Sequence, residues 1–313
     1  MKIFFNKKML LHNPDDRLEG GYRLAEFSGL VDDIESNGEE FLTLVHAEKY
    51  IRKIKKMAED REILAEVKLT KESYDAACIA AGLSVSVSHS NGFALVRPPG
   101  HHADREEAAG FCLFNNIAIA TQKLVNEGKK VCILDIDGHH GNGTQSIFYK
   151  SNKVLYCSIH QHSTFPGTGQ VYEIGKEEGI GFNINIPILK GSGDDIFLLA
   201  LNKLLPIILK FNPDIIGVSA GFDGYHDDYL LDLNYSLHSY YECASLLKNN
   251  FNNIFAVLEG GYHRNLKECV DIFISGINGE KVNIGDEKTT SGEDCHKMLE
   301  LNIKQLRSLL TGN

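Results

Sequence analysis

The sequence predicts an α/β fold around a buried, mostly parallel sheet. Five short runs rich in β-branched and other apolar residues, at 93–96, 131–136, 154–159, 215–218 and 254–258, are apolar on both faces, as strands covered by helices on each side must be. Helical patterns at 116–126, 194–211 and 237–249 alternate with them in the way that crossover helices alternate with parallel strands. Each run also stops abruptly in polar or glycine-rich residues. No Pro/Gly/Ser-rich linker, repeat or long low-complexity stretch divides the chain, so one domain spanning 1–313 is expected. The polar segment 279–294 reads as an exposed loop before a final helix at 295–310.

Composition narrows the class of partner. Hydrophobic residues make up 43% and charged residues 24% of the chain, the balance of a folded globular protein rather than a disordered one. A formal charge of -10 argues against sequence-independent adhesion to nucleic acid or to anionic membranes, both of which need basic faces. The basic stretches 52–56 and 129–130 read as a helix surface and a helix-to-strand turn. Seven cysteines at 78, 112, 132, 157, 243, 269 and 295 include no CxxC pair, the pattern of buried free thiols in a reducing compartment. The apolar start of the chain is too short and interrupted for a signal peptide, and no stretch reaches membrane-spanning length, so a cytoplasmic location is expected.

Open parallel sheets bind ligands beyond the carboxyl ends of their strands. Here those ends read RPPGHHA (97–103), DIDGHHGNG (135–143), SIHQH (158–162), SAGFDGYHDD (219–228) and LEGGYH (258–263), and six of the thirteen histidines fall between 101 and 162. Asp137 and His139 are two apart at a strand end, where a period of two turns both toward one side. Asp223 leaves its own strand at the equivalent place, completing one imidazole and two carboxylates. Three such ligands leave a coordination position open, as a catalytic metal site requires. His101 and His102 follow the stiff Pro98-Pro99-Gly100 turn, which suits proton transfer if each ring is oriented by an acceptor; Asp135 is a candidate for one and Asn142 for the other. Tyr262, after two glycines, can point its phenol inward and donate to an oxyanion. Phe111 and Phe165 are equally suited to an apolar channel and to simple core packing. The GTG and GNG fragments lack the strand-GxGxxG-helix spacing of a dinucleotide site and read as turns.

Taken together, RPPGHHA, GFCLFNN (110–116), LDIDGHHGNGTQ (134–145), FPGTG, SAGFD and LEGGY resemble the histone deacetylase family in order and approximate spacing, over roughly 40–275. The resemblance implies a three-layer arginase/deacetylase-like fold, with a central, mostly parallel sheet of about eight strands flanked by helices. It implies Zn2+ (or Fe2+) on Asp137, His139 and Asp223, and His102 as the principal general base. His101 would be its partner held by Asp135, Tyr262 the oxyanion donor, and Gly110, Phe111, Phe165 and Leu230 the substrate tunnel. A monovalent cation, K+, is implied at Asp135, Asp137, His139, Ser158 and Ile159. The implied activity is hydrolysis of the acetamide of an acetylated lysine side chain.

Three departures qualify what is expected. Asn142 stands where one branch of the family has Asp, and HHGNGTQ resembles the class II and prokaryotic branch, in which activity is retained. The segment usually written HPERPxR reads Leu18-Glu19-Gly20-Gly21-Tyr22-Arg23, so one arginine is expected to be missing from the active-site floor. Leu230 stands at a rim position where polyamine-selective relatives carry an acidic residue, which favours acyl-lysine over acetylpolyamines or other small acetylated amines. A ureohydrolase needs a paired-metal DxDxxD pattern that is absent after Ser219, and a non-catalytic acyl-lysine reader would be expected to have lost Tyr262 or a proton-transfer histidine.

Overall fold

The computed structural model describes residues 1–29, 31 and 33–311. Among these, one sheet contains β1 (Ile3–Phe4), β4 (Phe93–Ala94), β5 (Val131–Asp135), β6 (Val154–Gln161), β7 (Asn183–Ile188), β8 (Ile215–Ala220) and β9 (Ile254–Leu258). Its order is β1-β4-β9-β8-β5-β6-β7, and every neighbouring pair is parallel. The sheet thus has seven strands where about eight were expected. A separate antiparallel hairpin joins β2 (Ile63–Leu64) to β3 (Val67–Lys68).

The five apolar runs all become strands, and their residues are buried on both faces apart from partly exposed Ile215. Each buried Val, Leu or Ile contributes roughly 1.5–3 kcal/mol relative to exposure, so the centre of the sheet is where the fold gains most. Two strands escape the pattern. β1 is two residues long, and β7 alternates Asn183 and Asn185 with isoleucines; both asparagines are buried and donate to Gln145 Oε1, at 2.8 and 2.7 Å.

The helices are α1 (Tyr22–Ala25), α2 (Glu48–Glu59), α3 (Ser73–Ser88), α4 (Asn116–Asn126), α5 (Asn142–Phe148), α6 (Asp194–Phe211), α7 (Leu237–Asn250), α8 (Leu266–Asn278) and α9 (Glu293–Thr311). α3 and α4 pack on each other and on β9, β8 and β5, while α6, α7, α8 and α9 form a second connected set that reaches β6 and β7. Asn115 caps α4 by accepting from Ala118 N, and Ser236 caps α7 by accepting from His238 N. No helix among the described residues is long and apolar enough to cross a membrane.

The chain order creates the site. From β5 the chain moves outward to β6 and β7, whereas β8 and β9 return to the other side of β5. The carboxyl ends of β5 and β8 therefore flank a topological switch point, the crevice where open α/β sheets bind ligands. Register pairs Asp135, the last residue of β5, with Ser158 and Ser219, so β5 and β8 end nearly level while β6 runs on to Gln161.

Candidate active site

Asp137, His139 and Asp223 meet at this crevice, each offering a ligand atom within 4.8 Å of the others. His139 Nδ1 lies 2.6 Å from Asp223 Oδ2 and 3.4 Å from Asp137 Oδ1. Backbone amides fix the carboxylates: Gly260 N donates to Asp137 Oδ2 at 2.7 Å, His139 N to Asp137 Oδ1 at 2.8 Å, and Gly138 N to Asp223 Oδ1 at 2.6 Å. Position 221 must be glycine for these groups to fit, because a Cβ there would stand 2.0 Å from Asp137 Oδ2. Both carboxylates are buried, and burial followed by the Asp137 charge pushes the Asp223 carboxyl up to about 7. Two buried carboxylates and an imidazole aimed at one point suit a divalent cation, which would relieve that repulsion.

His101 and His102 stack with ring centroids 4.0 Å apart. His101 Nδ1 lies 3.2 Å from Asp135 Oδ2, which also accepts from Tyr156 Oη at 2.9 Å. His102 Nδ1 lies 2.8 Å from Asn142 Oδ1 at the start of α5. An amide oxygen only accepts, so this contact puts the proton on Nδ1 and leaves Nε2 with its lone pair. Burial pushes the His102 imidazole well below its ordinary value, so the ring stays neutral. Of the residues expected around a monovalent cation, Ser158 and Ile159 are buried on β6 beside Asp135, and the Ser158 hydroxyl contacts His160 Nδ1 at 2.8 Å.

Tyr262 is buried on the far side of the crevice, and the expectation of a floor without an arginine is corrected there. The guanidinium of Arg23 lies 4.6 Å from the centre of the Tyr262 ring and donates to Gly261 O at 2.9 Å and Glu259 O at 2.7 Å. The short helix α1 turns Arg23 inward, and Glu19 holds it at 3.1 Å while also pairing with buried Arg97 at 2.8 Å.

A cavity of about 250 Å³ leads from the surface to these groups. His102, His139 and Tyr262 line its inner end, and Gly110, Phe111, Phe165, Thr164, Leu230 and Glu66 complete the walls and mouth. Phe165 meets His102 edge-on with centroids 5.0 Å apart, and Phe111 meets Tyr262 at 5.4 Å. All four expected tunnel residues line this one cavity.

The family model of the histone deacetylase domain matches residues 16–277. The chain belongs to the histone deacetylase family. It is similar to a probable deacetylase of Archaeoglobus fulgidus, 34% identical over 271 residues covering 82% of this chain and 75% of the relative. A histone deacetylase-like amidohydrolase of Pseudomonas aeruginosa is 34% identical over 242 residues, 72% of this chain and 64% of that protein. Among solved structures, the HDA15 HD domain superposes with a TM-score of 0.88 at 29% identity, covering 100% of this chain and 96% of that one.

Sequence reasoning missed three acidic residues of this deacetylase-family site. Glu259 is buried with its Oε2 accepting from Gly100 N at 2.7 Å and His101 N at 3.0 Å, so it clamps the turn that carries the tandem histidines. Burial pushes its carboxyl up to about 7. Glu66, at the tip of the β2–β3 hairpin, puts a carboxylate at the tunnel mouth and accepts from Gly110 N at 3.1 Å. Asp228 accepts from Tyr262 N at 2.7 Å. A lone Glu or Asp in a loop has no periodicity to mark it; the one available signal was the carboxylate of Glu259 immediately after an apolar run.

Proposed function

We propose that this chain is a zinc-dependent deacetylase that hydrolyses the acetamide of acetylated lysine side chains, with the whole chain acting as one catalytic unit. The observation that carries the reading is the single cavity with apolar walls at Phe111, Phe165 and Leu230 and with His102, His139 and Tyr262 at its inner end. A narrow apolar passage suits a methylene chain that delivers one polar acyl group to buried polar residues.

Asp137, His139 and Asp223 would hold the metal, which when bound polarises the acetyl carbonyl and acidifies a water molecule. His102 Nε2, whose lone pair is left free by the Nδ1 contact with Asn142, would take a proton from the attacking water as the water oxygen bonds to the carbonyl carbon. The Tyr262 phenol donates to the oxygen that becomes negative in the tetrahedral intermediate. The C–N bond then breaks, and the proton is returned from the histidine pair to the amine nitrogen, leaving acetate and a free amine. Asp135 orients His101 throughout. K+ near Asp135, Asp137, His139, Ser158 and Ile159 would neutralise part of the buried negative charge behind the histidines.

A second reading, hydrolysis of small acetylated amines, is favoured by Glu66, because a carboxylate at the mouth attracts a cationic chain that the Leu230 position alone would not. Turnover of acetyl-lysine peptides and acetylspermidine by zinc-reconstituted protein separates the two. The first reading expects higher kcat/KM on the peptides, and a reversed preference overturns it. Y262F is expected to lower kcat by ~100–1,000-fold with metal content unchanged. Unchanged turnover removes Tyr262 from the mechanism, and D137A, expected to lose both metal and turnover, is the control.

A further inference from the structure

Tyr262 sits on a backbone that does little to orient it. It follows Gly260 and Gly261, and Gly261 adopts φ +120°, a region that residues with side chains rarely enter. The direction of the phenol therefore depends on outside anchors. Arg23 holds the carbonyl of Gly261, and His263 Nε2 ties the following residue to Phe222 O at 2.9 Å. A further anchor, and one that holds the Tyr262 amide itself, is Asp228, whose Oδ2 accepts from Tyr262 N at 2.7 Å. Its other oxygen, Oδ1, accepts from Leu230 N at 2.8 Å. One carboxylate thus fixes two residues from different segments that line the same cavity, Tyr262 at the inner end and Leu230 on the wall. Hydrogen bonds to an ionised acceptor are about twice as strong as neutral ones, which suits a group that has to hold two loops in register.

We propose that Asp228 is a positioning residue: it sets Tyr262 against the reacting carbonyl and, through Leu230, couples the tunnel mouth to that setting. The proposal rests on the reading of Tyr262 as the oxyanion donor. Among the described residues the hydrogen bonds of Asp228 go to the Leu230 and Tyr262 amides and not to Asp137, His139 or Asp223, so it acts through those two backbone groups.

A double-mutant cycle on an acetyl-lysine substrate tests it. D228N keeps one acceptor oxygen and the side-chain shape but loses the second acceptor and the charge. It is expected to lower kcat by roughly 10- to 100-fold with metal content unchanged, the scale of a misplaced catalytic group. In the Y262F background the same substitution should lower kcat by less than about twofold, because its route of action is already gone. KM should rise in both backgrounds, since the Leu230 contact does not pass through the phenol. D228E, which keeps both acceptors, is expected to recover part of the loss. An equal fold-loss of kcat with and without Tyr262 would overturn the proposal in favour of a merely structural role. Hydrogen–deuterium exchange supplies a readout independent of turnover: peptides covering 229–231 and 260–263 should exchange faster in D228N and D228E, and unchanged exchange in both segments also overturns it. If wild-type protein turned over no acetylated amine, the proposed function would fall while the exchange experiment still decided whether Asp228 holds the two loops.

Discussion

The two ends of the same strands do opposite work. At the carboxyl ends of β5, β8 and β9 the chain buries Asp135, Asp137, Asp223 and Glu259. At the amino ends it buries Ile216 and Ile254, and the charged residues there, such as exposed Asp214, meet the backbone of the neighbouring turn at the surface, where Lys130 N donates to Asp214 Oδ2 at 2.8 Å. Burying an ionised carboxylate costs several kcal/mol unless donors surround it. The carboxyl end meets that cost with backbone amides brought from other segments, Gly260 onto Asp137 and Gly100 onto Glu259. One end therefore stabilises the sheet, and the other spends part of that stability on holding preorganised charge.

If this division holds, substitutions at the two ends should separate stability from activity. I216A, in the buried amino half of β8, is expected to lower unfolding free energy by about 2–5 kcal/mol in urea titration while leaving kcat/KM unchanged where the protein is folded. A large loss of kcat/KM in the folded variant would show that the two ends are not independent. G221A should act chiefly on the site. Its Cβ would stand 2.0 Å from Asp137 Oδ2, so that carboxylate has to move. Zinc affinity, read by competition with a chelator, is expected to fall about 100-fold, with an overpacking loss of about 1–3 kcal/mol in the unfolding free energy of the metal-free protein. Unchanged affinity would mean that the Asp137 carboxylate is not a ligand. The smallest effect belongs to the mouth, where Glu66 is exposed and screened. E66Q is expected to raise KM for cationic acetylamines about two- to fivefold at low ionic strength and to leave KM for uncharged substrates unaltered. An equal rise for both would assign Glu66 to holding the Gly110 backbone alone.

The same contrast explains which parts were legible beforehand. The centre of the sheet announced itself because a strand buried on both faces has to be apolar at every position, and 131–136 and 254–258 are. β7 did not, because it buries two asparagines whose amide nitrogens donate to Gln145, a partner 38 and 40 residues away. Within the site, Asp137 and His139 were visible as a pair because a two-residue spacing fixes their relative direction. The pairings of His101 with Asp135 and His102 with Asn142 span 34 and 40 residues, and the residues alone left the two acceptors interchangeable. Arg23 was misjudged for a related reason: the segment 18–23 departs from the family wording, yet α1 and Glu19 still deliver a guanidinium to Tyr262.

What the sequence determined by itself was local: an α/β chain, strands apolar on both faces, and polar groups clustered where those strands stop. These follow from periodicity and from the chemistry of adjacent residues, which act over a few positions. Only the tertiary structure decided that Arg23 reaches the Tyr262 ring, that Glu66 comes to the tunnel mouth from a hairpin, and that Asp228 and Glu259 hold the Tyr262 and His101 backbones from 34 and 158 residues away. A buried carboxylate is placed by whichever amides the fold brings to it, and strand order, not the residue's own neighbours, selects those amides.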